Sequence, residues 1–361
     1  MEVRLVTPVC NTGYGMVGLN ILLGLQRQGH SVQLVPRGEI VCTEAHQPYI
    51  QRALQTSVTE AAPTVAIDQL APDTAELFPG KALKVLYTIF ELDTFTADEM
   101  TWLDFPDHVM VCSQWASNVL QKNGLPADRL MVVPLGVDAN VFSATSVAPV
   151  DGETHFFATG KFEMRKGYDF LAAVFAQAFS PNDPVRLTLH AWNPFLDDAY
   201  NQVWVDLFKK TPMAARVEIS RERFHSQTAL SKLMAGADCG VFLSRAEGWN
   251  LGLLEMMAMG KPVITTNYSG HTEFATPANA LLVEVPEVEP AKDGVFFNGQ
   301  GNWARLDRPQ ADQAIGHLQT VHQLKQSGQL PPNQAGLATG KQFSWDNAAI
   351  QMAGQLQAAM P

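Results

Sequence analysis

The chain has 361 residues, is 46% hydrophobic and carries a formal net charge of -11. That length and apolar content suit two domains of similar size better than a single core. The acidic balance disfavours nucleic acid as a bulk partner, while a local phosphate pocket built from a few lysines stays open. Cys10, Cys42, Cys112 and Cys239 are widely spaced and form no CxxC or His/Cys metal pattern. Reduced thiols in a cytoplasmic protein are therefore expected. The first residues read as a strand rather than a secretory signal, and no apolar run reaches membrane-spanning length. Peripheral membrane contact would need a strongly basic amphipathic helix, which the pattern does not offer.

Strand-like and helix-like segments alternate, which predicts an α/β fold of two Rossmann-like doubly wound domains. Strands are expected over 3–6 and 31–35, with a helix over 15–28 between them ended by Gly29. The polar stretch 38–64 suits either a lid over an acceptor or a surface excursion. Further strands fall at 65–67, 84–88, 109–111 and 130–133, with helices over 96–105 and 113–123, the second capped by Ser113. The 130–133 strand ends at Pro134-Leu-Gly-Val-Asp138. Such strand-to-turn junctions lie at the C-terminal edge of a parallel sheet, where ligands bind. A Ser/Ala/Pro/Gly-rich linker over 142–154 puts the first domain at 1–143 and the second at 144–340. In the second domain, strands are expected at 155–159, 186–190, 217–219, 239–243, 263–265 and 281–284. Helices are expected at 168–178, 229–235 and 253–259. The tail reads as helices over 310–327 and 345–359 joined by a polar loop over 328–341.

Three constellations carry chemistry. Gly13, Gly15 and Gly18 formally match GxGxxG, but they start late after their strand, and the next strand ends at Val35-Pro-Arg37 with no acid. A dehydrogenase is thus a minor reading. A flexible loop that lets substrate approach the backbone is the better one, beside a plain strand–helix turn. In Gly160-Lys-Phe-Glu-Met-Arg-Lys-Gly167, a strand ends in glycine and two cations follow before a helix. Lys161 and Lys166 can neutralise a diphosphate leaving group, whereas Arg165 reads as a solvated basic residue. No Walker A sequence occurs. Finally, Glu247-Gly-Trp-Asn-Leu-Gly-Leu-Leu-Glu255 sets two carboxylates eight positions apart around a helix start. That N-terminus suits an anion and the carboxylates suit hydroxyls. Glu255 lies among Leu253, Leu254, Met256 and Met257 and needs a partner.

On these residues the chain resembles the retaining GT-B glycosyltransferases of the large family that includes sucrose synthase, sucrose-phosphate synthase and bacterial mannosyltransferases (family 4-like, group 1). Glu247 and Glu255 satisfy the family's Glu, seven residues, Glu hallmark. Lys161 and Lys166 stand for its Arg-x4-Lys phosphate pair, and Pro134-Leu-Gly-Val-Asp138 is similar to its Pro-x-Gly-Val-Asp. The resemblance implies two domains facing across a cleft, with a C-terminal helix over 341–361 returning to the first. It implies that Glu255 binds ribose, Glu247 faces the donor sugar and the lysines hold the diphosphate. Gly13, Gly15, Gly160, His190, Gly248, Trp249, Asn250 and Leu251 then line the donor site. Asn267-Tyr-Ser-Gly-His-Thr-Glu273 resembles the family's Gly-Gly-x-x-Glu, with Ser269 for the first glycine. Where many members have a histidine, this chain has Tyr87-Thr-Ile-Phe-Glu-Leu-Asp93; Glu91 or Asp93 is the candidate sugar contact, a cap for the 96–105 helix or a loop acid, and similarity to a subset with Phe-Glu here favours Glu91. Trp115, Trp192 and Trp249 are candidate sugar-stacking faces or core.

The expected activity is metal-independent, retaining transfer of a hexose from a UDP-, GDP- or ADP-hexose to a sugar, glycan or other hydroxyl acceptor. No cofactor or metal site is expected; Asp197-Asp198 has no supporting ligands. The alternatives are a noncatalytic nucleotide-sugar binding protein and a GT-B-like phosphorylase or epimerase.

Overall fold

The structure is a computed structural model that describes residues 1–144, 152–221 and 226–360. Most of the expected 142–154 linker lies outside the described residues. The chain divides into two units, one of Met1–Gly136 with Phe343–Pro361, the other Val137–Gln342. The divisions fall at 136/137 and 342/343, against the expected 143/144 and 340/341.

The first unit runs β1 (Glu2–Thr7), α1 (Gly13–Arg27), β2 (Ser31–Pro36), α2 (Gln47–Gln55), β3 (Thr64–Ile67), β4 (Lys84–Tyr87), α3 (Ala97–Trp102), β5 (His108–Val111), α4 (Gln114–Lys122) and β6 (Leu130–Val132). Its six strands are all parallel, in the order β2-β1-β3-β4-β5-β6. Central strands such as Thr64-Val-Ala-Ile67 are buried along their whole length, as parallel strands covered on both faces must be. Helix α3 is closed by a capping box between Thr96 and Glu99, and α4 by Ser113, whose hydroxyl accepts the Ala116 N–H at 3.1 Å. Helix α2 falls inside the stretch whose role the sequence left open.

The second unit runs β7 (Thr154–Gly160), α5 (Tyr168–Ala178), β8 (Val185–Ala191), α6 (Asp198–Lys209), β9 (Val217–Ser220), α7 (Gln227–Ala235), β10 (Cys239–Phe242), α8 (Leu251–Ala258), β11 (Val263–Asn267), β12 (Leu281–Glu284), β13 (Val288–Lys292), β14 (Asn298–Ala304), α9 (Arg308–Gln326) and α10 (Gln334–Gln342). Its main sheet is parallel in the order β12-β11-β10-β7-β8-β9, and β13 and β14 form a separate antiparallel pair. An aromatic-rich core of Phe156, Phe162, Phe175, Leu187 and Val241 fills the space beneath α5 and α9. Helix α10 corrects the expected loop over 328–341, and the hairpin strands fall in the stretch 285–309, for which no element was expected. In α10, a Cβ on Gly340 would collide with Ala258, and one on Gly336 would strike the Asn333 side chain and crowd the Met257 carbonyl. The glycines that weaken the helix pattern in sequence are what let α10 press on α8.

The last helix, α11 (Trp345–Ala359), packs on α1 within the first unit. Arg27 pairs with Asp346 at 2.6 Å. A Cβ at Gly136 would run into the backbone of Ser344 and Trp345. Gly136→Ala is therefore expected to cost about 2 kcal/mol and to loosen α11 first. Hydrogen exchange should show faster exchange over 345–359 than over β1 or β5; uniform exchange would count against this.

Candidate active site

In the second sheet the chain leaves β7 toward β8 on one side and later returns to β10 on the other. Open α/β sheets bind ligands outside the strand C-termini at such a switch point. The loops that leave β7 and β10 carry Gly160, Lys161 and Lys166 on one side, and Glu247, Gly248, Trp249, Asn250 and Leu251 on the other. Register pairs Gly160 with Ala191 and Thr159 with His190, so His190 is the next-to-last residue of the adjoining strand.

The two loops are joined by an alternating chain of charge. Lys161 Nζ meets Glu163 Oε1 at 2.7 Å, and Arg165 Nη2 donates to Glu163 Oε2 at 2.9 Å. Arg165 Nη1 donates to Glu247 Oε2 at 3.0 Å and to the Ala246 carbonyl at 2.8 Å. Lys166 Nζ donates to both Glu247 oxygens, at 2.7 and 2.9 Å, and Ser244 Oγ donates to Oε1 at 2.7 Å. Three cations face two carboxylates, which leaves one positive charge in excess. Arg165 corrects the sequence expectation: it is only 4% exposed and bridges both carboxylates. Glu163, equally buried, was missed. The signal was present as the alternation Lys161, Glu163, Arg165, Lys166 in one turn. Lys161 keeps 40% of its side chain exposed and also sits 5.2 Å from the Phe195 ring centroid.

Burial alone would raise the Glu247 carboxyl, but Lys166 and Arg165, with hydrogen bonds from Lys166 and Ser244, hold it at about 2. Glu255 is the opposite case. It lies on α8, and burial pushes its carboxyl up to about 8, with no neighbouring charge or hydrogen bond to offset it. No described residue donates a hydrogen bond to its carboxyl.

The backbone around Glu247 is also fixed. Ser269 stands at φ +67° and ψ −153°, a glycine-type conformation that costs a side-chain-bearing residue on the order of 1–3 kcal/mol. Serine thus adopts the backbone conformation that the missing glycine would take without strain. Asn250 has φ +76° and caps α8, its Oδ1 accepting the Leu253 N–H at 3.3 Å. Leu251 is the first residue of α8. Trp249 is core: it is buried and packs 4.9 Å from Phe274, centroid to centroid. His190 Nδ1 lies 3.2 Å from Thr159 Oγ1. Trp192 is half-buried beneath the Arg221 guanidinium at 4.6 Å.

The remaining candidates lie in the first unit. Gly13 and Gly15 belong to the first turn of α1, not to a flexible loop. A Cβ on Gly15 would strike Cys10, and one on Gly18 would strike Thr7, so these two glycines serve helix-against-strand packing. Gly13 has open space around it. Between them, the buried Tyr14 hydroxyl donates to the Ile89 carbonyl at 2.7 Å and accepts the Ile89 N–H at 2.9 Å. Burial raises that phenol well above its ordinary range. Tyr14 thereby anchors the loop after β4 that carries Glu91. Trp115 packs 5.9 Å from Phe90 in the same region.

Residues 153–294 match the family model described as glycosyl transferases group 1. The matched residues lie wholly within the second unit and make up less than half of the chain. No curated protein matches the chain in sequence. Among solved structures, HepE from Anabaena in complex with UDP-glucose is similar at a TM-score of 0.72 and 17% identity, over 99% of this chain and 100% of that one. Sucrose-phosphate synthase from Thermosynechococcus elongatus is similar at 0.72 and 17%, with the same coverage. WaaG, a glycosyltransferase involved in lipopolysaccharide biosynthesis, is similar at 0.66 and 14%, over 99% and 100%. The likeness is one of fold: the chain has the GT-B fold, and the charged loops lie within the residues that match the family model. Among the described residues, no helix is long and apolar enough to cross a membrane, and no three His, Cys, Asp or Glu side chains group as for a metal ion.

Proposed function

We propose that this protein transfers a hexose from a nucleoside diphosphate sugar to an acceptor hydroxyl with retention of anomeric configuration. The observation that carries the reading is the junction of Lys161, Lys166 and Glu247 at the switch point, with the unpartnered Glu255 on the helix that follows. The lysines match a diphosphate, and a buried carboxyl without a protein partner matches a ribose diol. The HepE complex, which holds UDP-glucose, supports a nucleotide sugar as the donor class.

In this scheme the acceptor oxygen bonds to the anomeric carbon on the face the diphosphate leaves. The carbon–oxygen bond to the diphosphate breaks, and the acceptor proton passes to the departing phosphate oxygen. Lys161 and Lys166 absorb the charge that develops there. Glu247, held ionised by its cations, orients the donor rather than serving as a nucleophile. A double displacement would need a carboxylate free to attack the anomeric carbon.

The test is binding and slow hydrolysis across UDP-, GDP- and ADP-hexoses without added metal, with NAD(H) as a control. One donor is expected to bind with a dissociation constant between about 1 μM and 1 mM. The first sugar released should carry the donor's anomeric configuration by NMR. Binding of NAD(H) and of no nucleotide sugar would overturn the proposal. Inverted product would overturn retention alone.

A further inference from the structure

The loop after β11 meets the loop after β10 backbone to backbone. A Cβ on Gly270 would collide with the Gly248 carbonyl, so no side chain separates the two. Two hydrogen bonds join them, and both end on Glu247. Its N–H donates to Ser269 Oγ at 2.8 Å, and its carbonyl accepts the Gly270 N–H at 2.9 Å. Ser269 Oγ donates its own proton to the Tyr268 carbonyl at 2.6 Å. That bond fixes the hydroxyl rotor and leaves a lone pair for Glu247 N–H.

Glycine would adopt φ +67° without strain. It would also leave the buried Glu247 N–H without this acceptor. Serine at 269 holds the strained conformation and supplies the hydroxyl. We infer that Ser269 is a positioning residue whose hydroxyl fixes the peptide of Glu247, and through it the carboxylate that meets Lys166 and Arg165. The kinetic consequence rests on the proposed donor-facing role of Glu247; the structural consequence does not.

Two variants separate hydroxyl from backbone. Ser269→Gly removes both the hydroxyl and the strain, and Ser269→Ala removes only the hydroxyl. In the free protein, Glu247 N–H is expected to exchange about tenfold faster or more in both variants. Ser269→Gly should melt at or above the parent temperature and Ser269→Ala below it. In donor hydrolysis, kcat should fall about 10–100-fold while the donor KM stays within about threefold, because geometry is lost and not donor affinity. Unchanged exchange at Glu247 in both variants overturns the inference, whatever the kinetics. Faster exchange with an unchanged kcat overturns the positioning role. Faster exchange in a protein whose parent turns over no donor leaves the hydroxyl's hold on Glu247 standing and sinks the glycosyl-transfer reading instead.

Discussion

Arg165→Met is expected to destabilise the second unit by about 3–5 kcal/mol, the usual cost of breaking a buried ion pair from one side. For a domain of this size that is a fall of roughly 10 °C in melting temperature. The guanidinium is the only group that touches both Glu163 and Glu247 among the described residues, and its own surroundings are closed to water. Methionine fills a similar volume but leaves two buried carboxylates with one partner fewer each. Lys166 and Ser244 would still hold Glu247, and Lys161 would still hold Glu163. The site should therefore loosen rather than vanish, with weaker presentation of both lysines to the diphosphate. Adding Glu163→Gln to Arg165→Met should recover about 1–3 kcal/mol, since it removes one of the stranded charges.

Acid should reveal the same network. The Glu247 carboxyl is held at about 2 against an ordinary 4.5. Its pairing therefore contributes stability that is fully present above about 4.5 and is lost as pH falls toward about 2. Arg165→Met removes one of the two cations responsible, so this contribution should shrink, and its loss should still begin near 4.5 but end at higher pH. Urea unfolding of the two proteins between pH 7 and pH 3 measures both effects. A variant that melts within about 2 °C of the parent would show that Arg165 is not the tie between the loops.

The order of strands and helices was legible because parallel strands buried on both faces write continuous apolar runs, as in Val85-Leu-Tyr87 and Cys239-Gly-Val-Phe242. Lys161, Lys166, Glu247 and Glu255 stood out because a strand end and a helix start can be read locally, and the fold sets Lys166 against Glu247 there. What failed was whatever depends on a contact distant in sequence. Gly340 argues locally against a helix, and only Ala258 across the interface explains it. The hairpin β13–β14 turns at Asp293-Gly294, where Asp293 Oδ1 accepts the N–H groups of Val295, Phe296 and Phe297. Its Trp303 lies 5.9 Å from the Arg245 guanidinium and its Ala304 N–H donates to the Arg245 carbonyl at 2.8 Å, and nothing local in the sequence announces that. Arg165 looked solvated because a basic turn is usually exposed. Its burial follows from Glu247, which lies 82 residues away.

Glu255→Gln is expected to make the free protein more stable and a worse binder of donor. Burial lifts the parent carboxyl to about 8 against an ordinary 4.5. Relative to the unfolded chain, that shift costs nothing below about 4.5. The cost grows as pH rises and levels off above about 8, where it amounts to on the order of 3–5 kcal/mol. Glutamine carries no such charge, so the variant's advantage should be small near pH 4.5 and largest at pH 8 and above. Donor binding runs the other way. A ribose diol offers two hydroxyl protons, which an ionised carboxylate accepts and a protonated one accepts poorly. If Glu255 grips the ribose as a carboxylate, binding must release its proton below pH 8. The parent's donor dissociation constant should then tighten about tenfold per pH unit from pH 6 to pH 8 and flatten beyond. The Gln variant should bind at least about tenfold more weakly at pH 8, with a flat profile. Calorimetry in buffers of different ionisation enthalpy would count the released proton directly. A flat parent profile between pH 6 and pH 9 would mean that Glu255 meets the donor as a neutral acid or does not meet it at all. A stability gain at pH 8 without loss of donor binding would leave its burial without a functional reason in this site.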